Sequence, residues 1–408
     1  MAVTSLPQQG ARSAAPDERR LSPAWNFDAW LALVAGALLV FGLLVVYSTT
    51  FPWSLYSTGD TTTVFMRQVS WLGLGLVVVA ISLRFDYRVL RSLSVPIMGV
   101  TVLLLVLVLV VGTVIFGARR GLVNGSFQPG ELAKLATIIY LAHWLSSKGD
   151  RLRSVKLGLA PFGVVVGVVA GLIFMQPDLS TALLIVLTAG TMFFLAGADL
   201  RQLLVGLVAA ALAFWLLVPR LPYAQDRIAE WRQALDNPAQ ATWHTRQALI
   251  AIGSGGPAGL GFGTSRQKFG ILPTPHTDSV FAIIGEELGL VGTLAVLGLF
   301  GFLVQRGFKV AQQSQDEFGY ILAVGITCSL GYEALINMMV MTGIFPFTGV
   351  ALPFMSYGGS SLLVAMLSVG ILLNISRGAL SQRLRRRRAY SDGGRGDGGS
   401  RLPGTRGR

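Results

Sequence analysis

The chain has 408 residues, of which 52% are hydrophobic and only 13% charged, about half the charged fraction of an ordinary soluble domain. That excludes a soluble enzyme with one apolar patch, and the net charge of +13, which in a soluble chain would suggest nucleic acid, must be read by position instead. One cysteine, Cys328, and three histidines, His143, His244 and His276, exclude internal disulfides and any Cys or Cys/His metal constellation.

Apolar runs long enough to cross a ~30 Å hydrocarbon core predict spans near 29–48, 66–83, 95–117, 131–147, 157–175, 179–197, 202–219, 279–304, 318–342 and 354–376. The first run is too long for a signal-peptide core and no small-residue cleavage pattern follows it, so it reads as an uncleaved span. The expected fold is an all-α polytopic membrane protein of about ten transmembrane helices. One membrane domain covers 28–378, between a tail at 1–27 and a basic, disordered tail at 379–408. Arg84, Arg88, Arg91, Lys148, Arg151, Arg153, Lys156, Arg201, Arg306 and Lys309 fall in alternate connections, whereas the opposite loops carry only Arg119 and Arg120 before the long one. The positive-inside rule therefore places both termini in the cytoplasm. Arg383 and Arg385 to Arg388 then lie on the anionic inner leaflet, at about 1 kcal/mol per basic residue.

Between spans seven and eight, residues 219–278 form a large extracytoplasmic loop. Ile228, Trp231 and Leu235 recur there at helical spacing opposite Asp226, Arg227, Glu230 and Arg232, which predicts an amphipathic surface helix. A second short helix is expected from Trp243 to Ile252. The glycines at 253, 255, 256, 259, 261 and 263 admit two readings, a phosphate cradle or a tight re-entrant turn with close backbone approach. No Gly-Lys-Ser/Thr ending follows, which argues against a nucleotide. Arg246, Arg266 and Lys268 flank the stretch as a basic patch beside lipid, suited either to a polyprenyl diphosphate or to ordinary lipid headgroups.

Ionisable residues at membrane depth cost at least ~2.5 kcal/mol and are paired or functional by default. Glu131 and Lys134 share one helix face, as a packing ion pair or as substrate contacts. Asp178, in the Gln176-Pro177-Asp178 turn, is either a helix cap or a substrate contact. Glu131, Lys134 and Asp178 are expected to line one polar cavity open to the outside. Glu286, Glu287 and Glu333 read as structurally paired. Asp278, at the mouth of span eight, is an N-cap or a catalytic carboxylate.

Taken together, these motifs resemble the SEDS family (shape, elongation, division and sporulation), the FtsW and RodA type of peptidoglycan glycosyltransferase. The resemblance rests on Gly253-Ser254-Gly255-Gly256, the run Leu272 to Gly289 (LPTPHTDSVFAIIGEELG) and the run Pro346 to Ser361 (PFTGVALPFMSYGGSS), with Gln128-Pro129-Gly130-Glu131 plus Lys134 and Gln176-Pro177-Asp178 plus Thr181. It covers roughly residues 28 to 378. The chain departs from the pattern at Gly121, Gly130, Ser180 and Ser279. The spacing before His276 and the Tyr47-Ser48 ending of span one look more FtsW-like than RodA-like.

The resemblance implies polymerisation of lipid II onto a nascent glycan strand at the outer face of the bacterial cytoplasmic membrane, for cell division or elongation. Asp278 would be the general base and polyprenyl diphosphate the leaving group. Glu131, Lys134, Gln176, Asp178, Arg246, Lys268, His276, Ser356 and Ser360 are the implied substrate-binding residues. A divalent cation, Mg²⁺ or Mn²⁺, is implied near the diphosphate, with Asp278 a possible ligand and no organic cofactor. The implied partners are a class B penicillin-binding transpeptidase and other divisome or elongasome membrane proteins. A lipid II flippase and a non-catalytic divisome scaffold are the alternative readings.

Overall fold

The computed structural model describes residues 27–115, 118–122, 127–217, 222–237 and 241–393 of the chain. In order, its helices are α1 (Ala29–Thr58), α2 (Thr63–Arg84), α3 (Val89–Val111), α4 (Pro129–Ser146), α5 (Ala160–Phe174), α6 (Leu179–Leu195), α7 (Leu200–Leu217), α8 (Pro222–Asp236), α9 (Trp243–Gly255), α10 (Val280–Gln312), α11 (Glu317–Met341) and α12 (Gly359–Gly393). All ten expected spans coincide with helices, and α8 and α9 are the two helices expected in the long loop. A two-stranded antiparallel ribbon, β1 (Thr113–Ile115) with β2 (Ala118–Gly121), follows α3. It stands in a stretch that the apolar pattern reads as span end and loop.

The bundle is built around α11. In its most apolar stretch 83% is buried within the protein, against 17% for α2, so α11 is a core helix and α2 faces lipid along most of its surface. Helices α10, α4 and α6 pack on α11, while α2 lies along α12, α3 along α4, α5 along α6 and α1 along α10. Two aspartates close the end of the bundle opposite α8 and α9. Asp28 caps α1 by accepting from Leu31 N at 2.9 Å and also pairs with Arg306 of α10. Asp316 caps α11 by accepting from Gly319 N at 2.7 Å and pairs with Arg88 at 2.9 Å.

Three elements differ from the expected boundaries. Helix α1 continues ten residues past the predicted end near 48, because the polar residues that suggested a stop do not compete with the helix. Thr49 Oγ1 donates to Val45 O (2.9 Å) and Thr50 Oγ1 to Val46 O (2.6 Å), each satisfying its hydroxyl one turn back. Helix α12 continues to Gly393, so residues 379–393 are helical rather than disordered as their composition suggested. Ala, Leu, Gln and Arg, which dominate that stretch, are all strong helix formers. The tails at 1–26 and 394–408 lie outside the described residues.

The third difference positions the site. Helix α10 is broken at Gly289, whose φ of 65° and ψ of −158° are non-helical. The glycine-rich loop docks into the break and takes up the freed backbone groups. Leu260 N donates to Glu286 O (3.0 Å), Gly261 N to Glu287 O (2.9 Å) and Leu290 N to Gly256 O (2.9 Å). A Cβ at Gly255 would lie 1.9 Å from Gly285 O, one at Gly259 2.2 Å from Glu287 O, and one at Gly289 2.4 Å from Gly259 N. Of the two readings of this stretch, the close backbone approach is the one seen.

Candidate active site

Two loops meet above α11. Residues 272–279 lead into α10, and 346–361 lead into α12. Ser279 stands at the N-cap of α10, which leaves Asp278 one residue outside the helix in the seam between the loops. Tyr357 N donates to His276 O (2.7 Å), and Ser356 Oγ donates to Thr277 O (2.6 Å) while accepting from Leu352 N (2.8 Å). From below, Asn337 of α11 donates through Nδ2 to Asp278 O (2.8 Å) and Val350 O (2.6 Å), tying both loops to the core helix. Gly349 lies directly against the carboxylate, since a Cβ there would be 3.3 Å from Asp278 Oδ2.

Two histidines wall the seam. His276 stacks on Trp53 of α1 with ring centroids 4.3 Å apart and planes 5° from parallel, and Tyr357 meets both rings edge-on. His244 of α9 lies 2.6 Å through Nε2 from Ser279 Oγ, and its ring is 4.0 Å from that of Phe347. Ser279 commits its one hydroxyl hydrogen to Pro273 O (3.0 Å). Its oxygen therefore accepts from His244, which assigns that imidazole the Nε2–H tautomer. Burial, with Arg227 nearby, lowers the His244 pKa to about 4, and burial lowers that of His276 to about 4. Both rings are neutral at neutral pH.

Unsatisfied polar atoms gather at this seam. Thr274 Oγ1, His276 Nδ1, Asn337 Oδ1 and Thr348 Oγ1 are buried without a hydrogen-bond partner. Each such atom costs about 1–3 kcal/mol. Thr274 also adopts a φ of 46°, a left-handed backbone that is strained for a β-branched residue and concentrates at functional sites.

The other expected site residues are distributed differently. Lys134 Nζ sits between Glu131 (3.0 Å) and Glu333 (2.8 Å), a buried triad joining α4 to α11. The cavity beside it, lined also by Ser329, Ser361 and Ser368, measures about 20 Å³, room for roughly one water. Asp178 is not among its lining residues, which corrects the expectation of one shared cavity. Instead Asp178 caps α6, accepting from Thr181 N at 3.2 Å and Thr181 Oγ1 at 3.0 Å. Its neighbour Ser180 reaches the Thr348 carbonyl (2.9 Å), so the α6 terminus still touches the 346–361 loop. Gln176 is buried with Nε2 on Leu105 O (3.0 Å), fixing the adjoining turn to α3. Ser360 Oγ accepts from Gln128 N at 3.3 Å, and Arg246 is exposed on α9.

Lys268 requires correction. It is buried, and its ammonium donates to Glu287 (2.9 Å), Ser48 (2.9 Å) and Gly263 O (2.7 Å). With all three donors taken, it belongs to the clamp on the broken α10 and not to an open basic patch. Glu286 completes the clamp by accepting from Ser265 Oγ and Arg266 N. Among the described residues no three His, Cys, Asp or Glu side chains converge as metal ligands.

Sequence reasoning missed His244, Asn337, Trp53 and Gln68, the last of which accepts from Gly358 N at 3.3 Å. Asn337 and Gln68 carried the one available signal, an amide inside an apolar span. Nothing local distinguished His244 or Trp53.

The chain matches the family FTSW_RODA_SPOVE, "Cell cycle protein", over residues 29–380. It is 39% identical over 358 residues to a probable peptidoglycan glycosyltransferase FtsW of Trichlorobacter lovleyi, covering 86% of this chain and 94% of that one. It is also 39% identical to stage V sporulation protein E of Bacillus subtilis, covering 86% and 97%. Among solved structures it resembles a chain of a peptidoglycan synthase complex that coordinates polymerization and crosslinking (TM-score 0.72, 32% identity, 86% and 98% covered). It also resembles the rod shape determining protein RodA of Thermus thermophilus (TM-score 0.65, 31% identity, 88% and 99% covered). Matched almost end to end by such relatives, this multi-pass membrane protein belongs to the FtsW/RodA/SpoVE family and is FtsW-like within it.

Proposed function

We infer that the chain is a peptidoglycan glycosyltransferase that polymerises lipid II, with Asp278 as the general base. The observation carrying this reading is the placement of Asp278, a carboxylate outside its helix, held through its own carbonyl by Asn337 and approached by backbone at Gly349. A base so fixed can take the proton of an acceptor-sugar hydroxyl as that oxygen attacks the anomeric carbon of the lipid-linked donor strand. The bond to polyprenyl diphosphate breaks, and the configuration inverts. No step of this reaction is assigned to a metal. The seam faces outside in this reading, because the opposite end of the bundle carries the Arg and Lys residues of the positive-inside pattern. A transpeptidase partner is the natural complement, since the similar synthase complex coordinates polymerization with crosslinking.

Transport of a lipid headgroup is disfavoured by the Glu131–Lys134–Glu333 triad, which is internally paired beside space for about one water.

The test is glycan synthesis from purified lipid II by the reconstituted protein, with moenomycin added to suppress contaminating polymerases of the other type. Asp278→Asn preserves size and much of the hydrogen bonding but cannot accept the proton, so the rate should fall on the order of 10²- to 10⁴-fold. Retention of more than about a tenth of the activity would mean that Asp278 is not the base. Transfer of lipid II between leaflets without polymer would favour the transporter reading.

A further inference from the structure

We propose that the hydroxyls of Thr274 and Thr348 bind the acceptor sugar beside Asp278; this rests on the glycosyltransferase reading above. Four of the buried side-chain atoms that lack a partner belong to one seam, namely Thr274 Oγ1, His276 Nδ1, Asn337 Oδ1 and Thr348 Oγ1. Their neighbourhood is fixed by contacts already described. Asn337 bonds the Asp278 and Val350 carbonyls, Thr348 precedes the glycine lying against Asp278 Oδ2, and Thr274 O accepts from Thr277 N (3.2 Å) and Ser279 N (3.4 Å) on either side of Asp278.

The chemistry of the set selects its ligand. All four atoms belong to neutral groups, two hydroxyls that donate or accept, an amide oxygen that accepts, and a ring nitrogen of a neutral imidazole. None is a cation, and the adjoining carboxylate repels anions. The set therefore suits a neutral ring bearing hydroxyl and acetamido groups better than it suits a diphosphate. Thr274 and Thr348 are themselves partly exposed although their hydroxyl oxygens are covered, so rotation about χ1 presents either hydroxyl to a ligand in the seam. The strained backbone of Thr274, at a φ of 46°, fits a residue held for binding rather than for stability.

This assignment gives a pair of effects with opposite signs. Thr274→Val and Thr348→Val keep shape and β-branching but remove hydroxyls that bond nothing in the free protein. The full-length variants, reconstituted with purified lipid II, should show an apparent acceptor KM raised about 2- to 12-fold, the factor expected for one hydrogen bond. Their kcat should stay within about twofold, as expected for groups that bind the ground state and transition state alike. Their melting temperature should be unchanged or higher, because an unpaired buried hydroxyl is removed. Unchanged KM in both variants would overturn the proposal. So would a lower melting temperature in both, since it would show that the hydroxyls are used within the protein. Binding of lipid II, followed through tryptophan fluorescence, separates this inference from the catalytic one. Should Asp278→Asn remain active, weakened binding by the two Val variants still supports the subsite, and unweakened binding removes it.

Discussion

Asp278 and Asp178 show how one side-chain type takes two positions at similar places. Both precede a helix at the same end of the bundle. Asp178 occupies the N-cap and bonds Thr181 through backbone and side chain, which is what a capping Asp does. At Asp278 the cap position is taken by Ser279, and Ser279 is in turn held by His244. The two neutral histidines of the site give a pH dependence whose sign is fixed. Above the unfolded value of 6.5 neither state carries the proton, so stability is unaffected. Between 6.5 and about 4 the unfolded chain binds protons that His244 and His276 refuse in the fold, and stability falls as the pH is lowered. Thermal melts between pH 7 and 4.5 should therefore show a slope of on the order of 1 kcal/mol per pH unit from each ring. His244→Gln should flatten that slope, and a slope unchanged by the substitution would show that this ring does not contribute.

At the scale of elements, the break in α10 decides how the outer loop is held. Glu286 and Glu287 receive the loop's amides, hydroxyl and ammonium, so what looks in sequence like a pair of acidic residues inside a span is the anchor of a re-entrant loop. Gly259 has a φ of 80° and lies where a Cβ would meet the Glu287 carbonyl at 2.2 Å. Gly259→Ala should cost on the order of 3 kcal/mol through strain and displacement of the loop. The lone cysteine, Cys328, is buried at 5% exposure in α11, so a thiol-reactive fluorophore reports unfolding directly. A melting temperature equal to that of the parent protein would refute this account of the loop. By contrast, Gly253, whose added Cβ would meet nothing within 4 Å, should accept Ala with little change.

Across the whole molecule, the spans were legible because lipid imposes length and apolarity on each helix separately; among the described residues α1, α2, α3, α5 with the residues from Val155 leading into it, α10, α11 and α12 are long and apolar enough to cross a membrane, and α6 and α7 are shorter apolar helices. The Asp278 loop was legible as a motif, and the Glu131–Lys134 pair from its spacing along one helix. What stayed hidden depends on contacts distant in sequence. Glu333 neutralises Lys134 from across 199 positions, and Lys268 reaches Ser48 across 220. No local pattern can show that a lysine beside a glycine-rich loop points inward, nor that Gly289 interrupts a helix whose uncharged run continues to Val304. Orientation is the remaining property carried by charge alone. A cysteine introduced near Asp150, in a Cys328-free background, should stay inaccessible to impermeant thiol reagents in intact cells, whereas one in α8 should react; the reverse labelling would invert the topology.

The interruption at Gly289 also divides α10 into two unequal lengths. From Leu290 to Gln312 the inner part of α10 alone measures about 34 Å, enough to cross the ~30 Å hydrocarbon core without help. The outer part, Val280 to Leu288, is then not needed for spanning; it is buried within the protein from Val280 to Glu287 and runs roughly 13 Å from the break toward Asp278. The stepped helix thus separates two tasks: its inner part has the length to span, and its outer part holds the docked glycine-rich loop.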